Sequence, residues 1–151
     1  MTNEELIEKF ENENLTLASL QKRGMAYMID EILISVLFSL IYLDQMPANV
    51  STEELIGIVN SLFGYLVVIK VLYQTFFIWM YGATIGRIAM KIRVIATSDL
   101  ENPNFVVALT RSAFRIISES LFYLGFLWAF LNPKRETWHD RVANTLVVNA
   151  R

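Results

Sequence analysis

Cysteine is absent from the 151 residues, which removes disulfides, thiolate metal sites and cysteine nucleophiles together. Histidine occurs once, as His139, and a single imidazole with no second histidine gives no basis for a zinc site. Basic charge is not in excess either: 13 Lys and Arg stand against 15 Asp and Glu, for a net charge of −2. That balance lacks the concentrated positive charge that neutralises a phosphate backbone, so nucleic acid is not expected as a partner. No G-x-S-x-G elbow occurs, and Gly82 and Gly86 lack the spacing and the Lys-Ser or Lys-Thr ending of a P-loop. They read as a turn leaving the membrane. No enzyme motif remains, and no cofactor is implied.

What the chain has in surplus is apolar. Hydrophobic residues make up 54% and charged residues 19%, with ten Phe, six Tyr and three Trp. The mean hydropathy is +0.41. A soluble core of this size would not need so much aromatic mass, so the surplus surface is expected to face lipid.

Residues 1–22 hold Glu4, Glu5, Glu8, Glu11 and Glu13 against Lys9 and Lys22, the reverse of the positive start of a secretory signal. They read as an acidic cytoplasmic arm, solvated or partly disordered, although Leu6, Ile7 and Phe10 would align on one face of a short helix. Residues 23–151 form the membrane domain. From Gly24 to Leu43 the chain is almost entirely apolar, long enough as a helix to cross about 30 Å of hydrocarbon. Asp30 and Glu31 interrupt it, and the polar run around Pro47 ends it. A second apolar stretch runs from Leu55 to Tyr81, with Trp79 and Tyr81 suited to an interfacial belt. No basic residue occurs from Gly24 to Ile69, whereas Lys22, Arg23, Arg87, Lys91 and Arg93 flank the pair. The 44–54 loop is therefore expected outside and both flanks in the cytoplasm, as a helical hairpin.

The third hydrophobic region, Phe105 to Leu131, carries Arg111, Arg115 and Glu119 in its first half, and its pure apolar run from Leu121 is too short to cross alone. A single crossing would export Lys134, Arg135 and Arg141, so an element kinked near Gly125 that enters and returns is the preferred expectation. Lys91 to Ile95 and Thr145 to Val148 read as strands that could pair at the cytoplasmic surface.

The charged residues within these segments are the functional candidates. Arg23 can snorkel to headgroups, while Asp30, about a third of the way into the bilayer, must be paired or protonated. In the hairpin Lys70 lies slightly deeper than Asp30 and Glu31, and Gln74 comes level with Asp30, so the cation with an amide beside it could neutralise one carboxylate. Arg111, Arg115 and Glu119 recur every four residues. Arg115 and Glu119 suit an i,i+4 pair, and for Arg111 the wet face of an interfacial helix is the expectation.

Three segments then converge: Arg23 to Asp30 at the start of a helix, Gly82 to Arg87 followed by Lys91 to Val94, and Trp138 to Thr145. Together, over Lys22 to Val148, they resemble the RDD family of bacterial membrane proteins. The resemblance puts the family's arginine on Arg23 and its aspartates on Asp30 and Asp140. It usually has glycine where this chain has Asn144, and often lysine where it has Arg87. It implies a plasma-membrane protein suspected of transport, with some members linked to sodium or proton antiport. If the strands pair, Asp140 returns toward Arg23 or Arg93; the alternative is an N-cap of a short helix beginning near Arg141.

The expected fold is an all-α inner-membrane protein with two transmembrane helices, a third kinked or re-entrant helical element and a small two-stranded cytoplasmic patch. The expected function is a transporter or ion-coupling subunit for a proton or monovalent cation, acting without enzymatic chemistry. The alternative is a non-transporting scaffold or assembly partner. A homo-oligomer would supply a pathway that one small chain cannot enclose.

Overall fold

The computed structural model describes residues 2–150. Its elements in chain order are α1 (Asn3–Asn12), α2 (Leu20–Tyr42) with a 3₁₀ turn (Leu43–Gln45), α3 (Thr52–Tyr81), α4 (Ile85–Ala89), β1 (Ile92–Ala96), α5 (Phe105–Ser120), α6 (Leu124–Leu131), α7 (Trp138–Val142) and β2 (Thr145–Asn149). Two helices, α2 and α3, are long and apolar enough to cross a membrane. Their surfaces remain apolar and exposed at Ile32, Leu40, Phe63, Val68 and Leu72, which in water would be untenable over such a length.

Each helix begins and ends for a local reason. Ser19 caps α2 through the Lys22 amide, and Ser51 with Glu54 forms a capping box on α3. Gly82, at φ +68°, ends α3 in the left-handed conformation that only glycine adopts without strain. α5 is amphipathic with the usual sense inverted. Ala108, Arg111, Ser112, Arg115 and Ser118 face inward, while Val106, Leu109, Phe114 and Ile117 face out. Lipid outside and polar partners inside make that inversion stable.

The α5 and α6 helices are bent by 101°. The break falls on Phe122 and Tyr123, both at positive φ, rather than at Gly125, which lies inside α6 against Ser118. The third element is thus broken near Gly125 as expected, with the break itself two to three residues before the glycine.

β1 and β2 pair antiparallel, with Val94 opposite Val147 and Ile95 opposite Leu146. One face of this sheet, with Ile92, Val94 and Val147, packs on Ala26, Ile78 and Ala108 of the helices. The other, with Ile95, Leu146 and Val148, packs on Leu6, Phe10, Leu15 and Leu17. The acidic arm is therefore folded rather than loose. Thr2 and Glu5 cap α1, its apolar side covers the sheet, and Leu17 bridges Val148. Because Leu17 leads into α2 and the Gly82 carbonyl at the end of α3 accepts from the Val94 amide, these termini and both strands share one end of the molecule.

α3 packs chiefly against α5, and α2 against α4. The expected α2–α3 hairpin is joined mainly by long side chains instead of close backbone packing.

Candidate functional site

Three polar groups lie among the helices. The first is centred on Asp140, which is fully buried. It accepts from Arg23 through Oδ2 and from Arg111 through Oδ1, and Arg23 also donates to the Arg135 carbonyl. Arg111 donates to Thr145 Oγ1 at 2.6 Å. Thr137 is the N-cap of α7, and Asp140, three residues on, returns a bond to its amide at 3.0 Å. Asp140 therefore meets Arg23 as expected, while the alternative of Asp140 as an N-cap is corrected: Thr137 is the capping residue, the helix starts at Trp138, and Asp140 closes the capping box from its third position. Burial alone would raise the Asp140 carboxyl, but Arg111 and then Arg23 outweigh it and hold its pKa well below the usual carboxylate range. Burial also drives the His139 imidazole well below its ordinary pKa; Asp140 opposes this, while Arg111, Arg115 and Arg23 add to it.

Arg111 departs from expectation. It is 1% exposed, not on a wet face, because the stripe it begins points into the bundle. Arg93 is not among the partners of Asp140.

The second group surrounds Asp30, 1% exposed. Its oxygens accept from Tyr73 Oη at 2.8 Å, Thr84 Oγ1 at 2.6 Å and the Gly86 amide at 2.8 Å. All three donors are neutral. Lys70 does not pair with Asp30, and Gln74, though buried nearby, leaves its Nε2 without a partner among the described residues. Gly86 is required here by proximity: a Cβ would collide with the Ala26 carbonyl and come within 2.9 Å of Asp30 Cγ. Tyr73, Thr84 and Gly86 were not singled out as partners of Asp30, although the last two lie in the Gly82 to Arg87 segment.

The third group is a network across α2, α3 and α5. Lys70 Nζ lies 2.8 Å from Glu31 and 2.9 Å from Glu119. Arg115 reaches Glu119 at 3.1 Å, the expected i,i+4 pair, and Glu31 at 3.5 Å. Its guanidinium also stacks on Tyr27, 4.8 Å from the ring centroid. Two cations face two carboxylates, so the network is neutral. The seam they share with Gln74 leaves no volume in which a water molecule would fit.

Apolar spanning helices with charges satisfied internally define an integral membrane protein. The RDD family model matches residues 17–144, and the chain belongs to the RDD family. No curated protein and no solved structure matches it.

The positions that the resemblance implied, Arg23, Asp30 and Asp140, fall in two of the three groups. Arg23 and Asp140 touch, while Asp30 is held separately by the turn into α4. Asn144, where the family usually has glycine, sits at φ +49°, a conformation that asparagine tolerates better than most residues.

Proposed function

We propose that the protein couples movement of a monovalent cation or proton across the bacterial inner membrane, with Glu31, Glu119 and Lys70 as the coupling groups and no covalent chemistry. One observation carries the reading: a single lysine ammonium is shared by two carboxylates within apolar segments, 2.8 Å from one and 2.9 Å from the other. A small cation arriving at those oxygens competes with the ammonium, so ion occupancy and helix association exchange for each other. Charges placed in lipid cost several kcal/mol and mark ion paths by default. Glu31 supplies the more loosely held oxygen, since its Oε1 makes no hydrogen bond among the described residues and meets Arg115 only as a 3.5 Å ion pair. The closed seam then corresponds to the resting state. Opening it requires helix movement, and a continuous path requires a homo-oligomer, because one chain of this size encloses little.

In this reading α2 and α3 cross the membrane and the α5–α6 element enters and returns. Its 101° bend and the pairing of β1 with β2 support a return to the starting side. The base-free interval between Arg23 and Lys70 supports a cytoplasmic N-terminus.

The second reading is a non-transporting scaffold. It is favoured by Asp30 and Asp140, whose bonds fasten distant segments to one another. Purified protein in liposomes separates the two. A transporter gives pH-linked sodium or potassium flux that Glu31→Gln abolishes while the protein stays folded. Empty-liposome flux from the wild type leaves the scaffold.

A further inference from the structure

A cavity of about 210 Å³ opens where the first turns of α2 face α6 and α7. Arg23, Arg87 and Arg115 line it together with His139, and among the described residues no carboxylate does. Its remaining wall is largely aromatic and apolar, from Tyr27 and Phe126 among others. The arginines come from α2, α4 and α5, so their convergence is produced by the fold and not by a run of basic sequence.

The charges here do not balance. Lys70 and Arg115 answer Glu31 and Glu119, and Arg23 and Arg111 share Asp140. Arg87 has no ion pair or hydrogen bond among the described residues, and its Nη1 is shut off from solvent without a partner. Asp30 attracts Arg87 through space but makes its hydrogen bonds to three neutral donors, which leaves the Arg87 fork without a direct partner among the described residues. His139 Nδ1 is likewise buried and unpartnered. Arg87 is half-buried, but leaving its Nη1 buried without a partner is costly, and an anion in the cavity would remove that cost. Burial, followed by Arg111 and Arg115, pushes the Arg87 pKa down against the opposing pull of Asp30 and Asp140.

We propose that this cavity binds a phosphate group, with Arg87 as its principal partner and Arg23 and Arg115 at its sides. Phosphate fits better than a monatomic anion. Each guanidinium has five N–H donors in a planar fork, so Arg23 and Arg115 keep donors beyond those they use on Asp140, Glu31 and Glu119. Only an anion with several acceptor oxygens engages forks arriving from three directions. The apolar wall beside them accommodates what the phosphate is attached to, and its location at the start of a spanning helix is headgroup depth. The source is a phospholipid headgroup or free phosphate, and the site does not depend on the cation reading of Lys70.

The test uses delipidated full-length protein in neutral detergent, with thermal melting read against inorganic phosphate, short-chain phosphatidylglycerol and, as a control without phosphate, diacylglycerol. Saturable stabilisation by phosphatidylglycerol alone assigns a lipid headgroup, and stabilisation by inorganic phosphate assigns a soluble source. Either way Arg87→Gln should bind about tenfold or more weakly, the loss of a charge-assisted contact. Without ligand it should melt no lower than the wild type, because it removes an unpartnered cation. If Arg87→Gln does not fold, Arg87→Lys keeps the charge but loses the fork and should still bind more weakly than the wild type. The proposal is overturned if neither phosphate compound shifts the wild type, if diacylglycerol acts as strongly as phosphatidylglycerol, or if the folded Arg87 variant responds with an unchanged midpoint.

Discussion

Replacing Asp140 with asparagine removes one charge and almost no volume. The amide oxygen of asparagine can still accept from Thr137, so the cap of α7, worth about 1 kcal/mol, is largely kept. What is lost is the anion between two arginines. Arg111 is 1% exposed and retains Thr145 Oγ1 at 2.6 Å as its other side-chain partner, so its charge is left buried and uncompensated. Breaking one side of such a pair costs about 3–5 kcal/mol. Arg23 is partly exposed and recovers some solvation, which places the expected loss near the lower part of that range. Denaturation in detergent micelles measures it, with Thr137→Ala as the control that removes the cap alone. Adding Arg111→Met to Asp140→Asn should return part of the loss, because the stranded cation is gone, and the coupling between the two positions should reach at least about 1 kcal/mol. A loss for Asp140→Asn no larger than that of Thr137→Ala, or a coupling near zero, would refute the clamp.

Three further outcomes follow from the same geometry. His139 takes up a proton more readily in the unfolded chain than in the folded one. Stability should therefore be flat above its ordinary pKa of about 6.5 and fall as the pH drops below it, by up to about 1.4 kcal/mol per unit, and His139→Gln should flatten that slope in a pH series of melts. The Asp140 contribution runs in the same direction but in a more acidic window, being complete above about pH 4 and lost only as acid protonates the clamped carboxylate. Gly86→Ala should cost about 1–3 kcal/mol by forcing α4 off Ala26 and Asp30, and an unchanged melting temperature would contradict the close approach. Because the chain has no native cysteine, single cysteines report topology cleanly: one at Asn49 should react with an impermeant thiol reagent from outside, and one at Ala150 only after the cytoplasm is opened.

Elements governed by local or periodic signals were legible in the sequence. Both spanning helices follow from unbroken apolar length, both strands from short alternating or β-branched runs, and the Arg115–Glu119 pair from helical spacing. Arg111 was misjudged because amphipathicity alone does not say which side is wet; in lipid the arginine stripe turns inward. The acidic arm keeps its glutamates in solvent, but its order is not legible in sequence, because the apolar face of Leu6 and Phe10 has value only once a sheet surface exists to receive it.

The amino-acid sequence by itself determined that this is a membrane protein and which two helices are long and apolar enough to span, since hydrocarbon thickness and backbone hydrogen bonding admit few alternatives to a long apolar helix. It also determined which residues are too costly in lipid to be incidental. Only the tertiary structure decided who pairs with whom: Lys70 with Glu31 and not Asp30, Asp140 with Arg111 as well as Arg23, and Arg87 with none of the described residues. Those choices depend on distances set by the α5–α6 break and the β1–β2 pairing, which join segments far apart in the chain. Charge type and helical period cannot encode such long-range proximity.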